Sequence, residues 1–354
     1  MAFNDSFITF CIKNREQYLY LVSLSPMNKL LIIPLLILQI TAYAQQEISS
    51  PTITKFSNTD FSVVQNAKDL SRTISVLTKE PKEQLQMLLL WADNFLQVDS
   101  DRFLTGGYPL TTDESIKQRK GLCDEYANIV TEFCKLNNIK CLHIEGYVKY
   151  AGFKPTDILD EANHAWNAVY IDSSWVLCDL FWSTCEMVNK NGSSYFIKKI
   201  NTAYFLVAPA QFISTHLPLE PVFQFDNYPL RMQSFYTPNL TFDSSARMGY
   251  VNYLDSVNAY LKLNEQEQNI KIAENSYVFN KDNPNTKITT YYNYAVSIVN
   301  NKKATLPELK RARYFLNSAI DLIKHSSKPD IQNLLPACQR GIVMIDKDPR
   351  LVRK

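Results

Sequence analysis

Apolar and polar positions in this chain follow two periods, one helical and one of two residues, and the switches between them mark its organisation. Residues 60–79 carry apolar positions at helical spacing. Pro81 then opens a strongly patterned helix, predicted over Lys82–Leu96. Leu85, Leu88, Leu89, Ala92 and Phe95 fall on one face of it, with Trp91 beside them as a packing residue. Asp99–Lys120 reads mostly as loop, broken by Gly106-Gly107 and Pro109. A second helix is predicted over Cys123–Leu136, with Tyr126, Ala127, Val130, Phe133 and Cys134 as its buried stripe. Asn137-Asn138 ends it.

From Cys141 to Tyr150 the period becomes two. Leu142, Ile144, Gly146 and Val148 face one way; His143, Glu145 and Tyr147 face the other. A polar loop covers 151–163. Two strands follow, Ala165–Ile171 and Ser174–Leu180, joined by a turn at Asp172-Ser173. A turn centred there pairs Ile171 with Ser174 and Trp166 with Asp179. His164 shares a face with Trp166. Asp179 is then its diagonal neighbour, roughly 7–8 Å away between backbones and within side-chain reach. A one-residue slip would turn Asp179 to the other face.

Residues 185–235 read as short strands and loops that cover the sheet. Beyond about Asp243 the helical period returns in five amphipathic segments: Tyr250–Lys262, Ile270–Phe279, Ile288–Asn300, Leu306–His325 and Ile331–Ile345. Short connections between them predict helical hairpins. No clean 34-residue repeat is present, so a plain bundle and a repeat array fit equally.

The N-terminus carries a different pattern. Met27-Asn28-Lys29 precedes a short apolar run, Leu30 to Ile40, and then Ala42-Tyr43-Ala44. A positive residue, an apolar stretch and a small-residue site describe a secretory signal, with cleavage after Ala44 and the true start at Met27. Residues 1–44 are therefore read as a signal region and 45–58 as a linker. The expected location is exported, periplasmic or extracellular.

Composition narrows the function. The 354 residues fit about two domains. A net charge of +2 without a basic block gives no nucleic-acid signature. Eight glycines and no phosphate-cradling loop argue against nucleotide chemistry. The seven cysteines contain no CxxC pair, and the four histidines are too scattered for a metal helix, so neither cofactor nor metal is expected. Cleavage would remove Cys11 and leave six cysteines in an oxidising compartment, with Cys134 as a buried free thiol.

The chemistry gathers between Lys120 and Trp182. Cys123 stands at a helix start, where unpaired N–H groups and the helix dipole favour a thiolate. Gly121 lets the chain turn into that helix and admits a substrate. His164 is placed to hold and return a proton, and Asp179 to orient its ring. The Cys123 N–H offers one oxyanion donor. His143 and His216 are rival bases; His143 reads as solvent-exposed and His216 as a loop residue.

Gly121-Leu122-Cys123-Asp124-Glu125-Tyr126-Ala127, Gly146-Tyr147, His164-Ala165-Trp166-Asn167-Ala168-Val169 and Trp175-Val176-Leu177-Cys178-Asp179-Leu180-Phe181-Trp182 resemble the transglutaminase-like cysteine-peptidase superfamily. Tyr204 to Pro209 and Phe212 to Pro218 are similar to its kyphoscoliosis-peptidase branch. The resemblance covers roughly 60–230. It implies an α+β, papain-like core, a helix packed on an antiparallel sheet, over 59–240. An all-α helical-hairpin region occupies 241–354. It also implies Cys123 as nucleophile, His164 as base and Asp179 as orienter. Where other members vary after the nucleophile, this chain has Asp124-Glu125, which place negative charge beside the thiolate.

The function expected is an exported thiol-dependent acyl-transfer enzyme working through a thioester on peptide or amide bonds, with hydrolysis favoured over transamidation. The alternative is a catalytically inactive binding module for a cell-envelope or protein partner. Expected partners are a peptide or protein substrate and a protein partner for the helical region. No nucleic acid and no stable membrane span after cleavage are expected.

Overall fold

A computed structural model describes residues 48–150, 152–190, 193–236, 244–326 and 328–349. Residues 1–44, expected as a signal region, lie outside the described residues, and Met27, Ala44 and Cys11 with them. Among those described, no helix is long and apolar enough to cross a membrane.

The chain opens with α1, Ser50–Ser57, inside the stretch expected as a linker. Ser49 caps it and Pro51 occupies its first turn. Phe56 stacks on Phe61 at 4.7 Å, and Lys55 pairs with Glu83 at 2.9 Å. Only Thr52 and Phe56 are buried, too few to give a readable period. Next come α2, Ala67–Leu77, and α3, Pro81–Phe95. Helix α3 is buried on nearly all sides, with Leu85, Met87, Leu88, Leu89, Trp91 and Ala92 fully covered.

The stretch expected as loop holds two short helices, α4 (Ser100–Thr105) and α5 (Thr112–Gln118). Asp99 caps the first; Thr111 and Glu114 form a reciprocal capping box on the second. The glycines and proline separate these helices rather than replacing them. Strands β1 (Gln97–Val98) and β2 (Lys120–Gly121) pair in parallel beside them. Helix α6, Cys123–Leu136, follows, and all five residues of its predicted stripe are buried.

The central sheet comprises β3 (Cys141–Val148), β4 (His164–Ile171) and β5 (Ser174–Cys178), with two later strands. After β5 come α7, Leu180–Thr184, and a separate hairpin of β6 (Cys185–Lys190) and β7 (Ser193–Lys198). Strands β8 (Phe205–Val207) and β9 (His216–Pro218) complete the sheet in the antiparallel order β8-β5-β4-β3-β9.

The β4–β5 turn is as tight as predicted. Ile171 pairs with Ser174, and both Asp172 and Ser173 have positive φ, 49° and 61°. Such a turn matches the twist of the flanking strands and so holds the register. Helix α6 covers one face of the sheet, where the buried Asn167 amide donates to Ala127 O at 3.1 Å and Thr131 Oγ1 at 2.9 Å. On the other face Ile144, Trp166, Ala168, Leu177 and Phe212 make a second core. Tyr147, expected on an outward face, is fully buried because later segments cover it.

The C-terminal helices run Tyr253–Tyr260, Glu265–Phe279, Asn285–Asn300, Leu306–Ile323 and Leu335–Asp346, with a short turn of helix at Pro329–Gln332. They bury their own core, in which Tyr291 stacks on Phe315 at 4.2 Å. They are also fastened to the sheet. Asn280 and Asn283 donate to the buried Tyr147 hydroxyl at 3.0 and 2.9 Å, and Asn280 also donates to Leu159 O at 2.9 Å. Lys328 pairs with Asp160 and Glu161 at 3.1 and 2.9 Å, on the loop that leads into His164.

Candidate active site

The Cys123 side chain is half-buried at the first turn of α6. The four leading N–H groups of a helix lack internal partners, so its N-terminus carries partial positive charge. Here the cap is built by Glu125, whose carboxylate accepts from Leu122 N at 2.7 Å and Leu110 N at 3.0 Å. Arg102 grips the same carboxylate through two nitrogens, at 2.8 and 2.6 Å. Asp124 accepts from Asn128 at 3.0 Å and lies 3.2 Å from His143. Its bond with His143 holds the Asp124 carboxyl below the usual range, against the effect of burial. The two acidic residues expected to oppose a thiolate are thus each occupied: Glu125 is neutralised by Arg102, and Asp124 is paired with His143. His143 is half-buried rather than free in solvent.

Gly121 has a different role from the one expected. A Cβ there would sit 2.8 Å from Ser115 Oγ and 2.9 Å from Glu125 Cβ. The glycine lets α5 and the capping carboxylate approach the helix start.

His164 is the first residue of β4 and Asp179 directly follows β5. The hairpin register brings them together: His164 Nε2 and Asp179 Oδ2 are 2.7 Å apart. Asp179 is also the N-cap of α7, its Oδ1 accepting from Trp182 N at 2.9 Å. The His164 side chain hydrogen-bonds Cys123 as well. With Nε2 turned to Asp179, the nitrogen left for Cys123 is Nδ1. The structure therefore brings Cys123, His164 and Asp179 into one chain of contacts.

A fourth residue joins them. His216 Nε2 lies 3.1 Å from the same Asp179 oxygen, and its Nδ1 lies 2.8 Å from Thr215 Oγ1. The ring is fully buried, packed at 4.3 Å against Phe212 and 4.7 Å against Trp182. Expected as a loop residue, His216 instead opens β9, whose pairing with β3 sets Val148 opposite it. Gly146 pairs with His164 on one side and Pro218 on the other, so β3 stands between the two histidine strands.

Gly146 makes this closeness possible. A Cβ there would meet Leu217 O, lie 2.5 Å from Trp166 Cη2 and 2.8 Å from Pro218 Cα. Gly146→Ala is expected to cost about 1–3 kcal/mol by overpacking and to push β9 away. A fall in the urea midpoint, with lost protection of the β9 amides in hydrogen exchange, checks it. An unchanged midpoint would mean the strands have slack.

The electrostatics follow from burial and pairing. Burial alone would discharge the His164 ring, but Asp179 and then Cys123 hold the proton on it, and its pKa is pushed up to about 10. Burial would raise the Asp179 carboxyl, yet His164 and His216 keep it well below the usual carboxylate range. Burial drives His216 down to about 4, with Asp179 offsetting part of the fall. His216 is therefore neutral near pH 7.

The donor atoms of His164, Asp179 and His216 lie within 4.8 Å of one another, which makes them a conceivable ligand set. Bonds of about 2.1 Å in a tetrahedral site would hold two ligands about 3.4 Å apart. The 2.7 Å between His164 and Asp179 is a hydrogen-bond distance and leaves no such gap. The arrangement is a proton network.

The model of the transglutaminase-like superfamily matches residues 68–180. That segment is a transglutaminase-like domain. It includes Cys123, His164 and Asp179, while His216 lies beyond its end. Kyphoscoliosis peptidase of Homo sapiens is 31% identical over 121 residues, 34% of this chain and 18% of that protein. The Mus musculus kyphoscoliosis peptidase is 32% identical over the same shares. Hillarin of Drosophila melanogaster is 27% identical over 169 residues, 44% of this chain and 20% of that protein. The chain thus spans about a fifth of the length of these curated relatives. The transglutaminase-like domain of this chain has an α+β architecture, with the helix that begins at Cys123 on an antiparallel sheet, and the helical region follows it.

Proposed function

We propose that the transglutaminase-like domain is a thiol-dependent acyl-transfer enzyme acting on peptide or amide bonds. The observation that carries the reading is the buried His164 ring, bonded to Asp179 at 2.7 Å on one nitrogen and to the Cys123 thiol on the other side. In this reading Cys123 passes its proton to His164 Nδ1, and the thiolate attacks the carbonyl carbon. The charge developing on the carbonyl oxygen lies at the positive end of α6, near the Cys123 N–H. His164 then delivers the proton to the departing amine, leaving a thioester. Water attacks next, with His164 taking its proton, and Cys123 is released. A second amine could replace water. Hydrolysis needs no groove for a second substrate, which favours it. The leader pattern at 27–44 supports an exported, periplasmic or extracellular enzyme.

The test is alkylation of the full chain by iodoacetamide, followed by peptide mass. Labelling at Cys123 should vanish in Cys123→Ala and slow about 10²-fold or more in His164→Ala near neutral pH. Cys134, Cys178, Cys185 and Cys338 are buried and should label slowly. Equal labelling of the His164 variant would leave an ordinary thiol and favour a binding module. New amino termini in a mixed peptide digest, with no uptake of an added primary amine, would distinguish hydrolysis from transamidation.

A further inference from the structure

Asp179 does not serve His164 alone. Oδ2 takes both histidine Nε2 atoms, at 2.7 and 3.1 Å, and Oδ1 takes the Trp182 N–H at 2.9 Å. The carboxylate is 1% exposed, so these three donors are its surroundings. The tautomer of His216 follows from its two partners. A carboxylate can only accept, so Nε2 carries the hydrogen. Nδ1 is then an acceptor and takes the Thr215 hydroxyl at 2.8 Å. Tyr204 in turn hydrogen-bonds Thr215. A neutral imidazole is thus pinned in one tautomer, aimed at the carboxylate that orients the proposed base.

We propose that His216 is a positioning residue for the reacting pair: its Nε2–H locks Asp179 and takes up part of the carboxylate's charge, which sets the pH range over which Cys123 and His164 share a proton. This rests on the acyl-transfer reading of the same site. His216 itself exchanges no proton in the cycle. Its donor dipole lies beside the charge that stabilises the His164 imidazolium, so it moderates that stabilisation. Among the described residues, the titratable groups facing the His216 ring are Asp179, His164 and Tyr204. Tyr204 contacts it at 5.5 Å between ring centroids, and the other ring neighbours, Trp166, Trp182 and Phe212, carry no charge. Cys178 reaches the network through the field at Asp179, and Cys185 through the fields at Asp179 and Cys123.

The test measures the iodoacetamide alkylation rate of Cys123 in the full chain from about pH 4 to about pH 11.5, which spans the His164 limb and its expected displacement. His216→Phe keeps an aromatic ring in the cage but removes the donor. With the donor gone, Asp179 bears on His164 undiluted. The alkaline limb, where His164 gives up its proton, should move up by about one pH unit, and the acid limb down. His216→Gln restores an N–H at the Nε2 position and should return both limbs at least halfway. Thr215→Val frees the tautomer and should give a smaller shift in the same direction. A folded His216→Phe protein with unmoved limbs overturns the proposal, as does failure of Gln to restore them. If the Phe variant does not fold, unmoved limbs in Thr215→Val overturn it instead. A wild-type profile with no ion-pair limb, or no Cys123 labelling, removes the acyl-transfer reading and this proposal with it. A normal wild-type profile with unmoved variants removes this one alone.

Discussion

Asp179→Asn is expected to cut amide-bond cleavage by about 10³–10⁴-fold while leaving the protein folded. Three donors converge on the Asp179 carboxylate: His164, His216 and the Trp182 N–H. Asparagine offers one acceptor oxygen and an NH₂ group in their place. If the oxygen stays on Trp182, the NH₂ faces the imidazoles, and His164 must present a bare Nε2 to it. The ring hydrogen then moves to Nδ1, the side toward Cys123, where a base must be able to accept. The charge is lost as well, so the His164 pKa falls from its raised value and the alkaline limb of the rate profile moves down. Stability gives an independent sign. Asp179 has a lowered pKa in the folded state, so its contribution is present above the unfolded carboxylate value and lost as pH falls. His164 has a raised pKa, so its contribution is full below the unfolded histidine value and lost as pH rises toward about 10. The stability gap between wild type and variant should therefore be widest between about pH 4 and about pH 6.5. Urea midpoints across pH would measure it. A gap that does not vary with pH would mean the pair is not charged in the folded protein.

Arg102→Ala is expected to destabilise the fold by about 3–5 kcal/mol. The Arg102 and Glu125 side chains are 10% and 2% exposed, and their bond is bidentate. Arg102 also donates to Tyr108 O at 3.0 Å. Removing the arginine strands a buried carboxylate that two backbone N–H groups, Leu122 and Leu110, still need. The damage falls on the first turn of α6, so Cys123 reactivity should fall together with stability. Arg102→Met combined with Glu125→Gln keeps an acceptor for the Leu122 N–H and removes both charges. That pair should be less destabilised than Arg102→Ala alone. Equal losses in a urea series would assign the cost to packing rather than to the stranded charge.

Much of the architecture was legible because it is local. The Cys123–Leu136 stripe repeats at helical spacing, and each of its predicted residues is buried. The Asp172-Ser173 turn sets the β4–β5 register by its own geometry, and that register alone places Asp179 beside His164. Two short capped helices between Asp99 and Lys120 were missed, since six or seven residues cannot show a period. The neutralisation of Glu125 was missed for another reason. Arg102 lies 23 residues away, and no local pattern says which arginine will meet a carboxylate.

The sequence by itself determined the helix that begins at Cys123, the hairpin that carries His164, and the register that puts Asp179 within reach. Each rests on a periodicity or a turn confined to a few consecutive residues. Only the tertiary structure decided that His216 shares the Asp179 oxygen, that Arg102 discharges the acidic turn, and that the C-terminal helices hold the loop before His164. His216 is 37 residues from Asp179 and arrives by the pairing of β9 with β3. Gly146 makes room for that pairing. Such contacts come from strand order and close packing, which side-chain patterning along one segment does not encode.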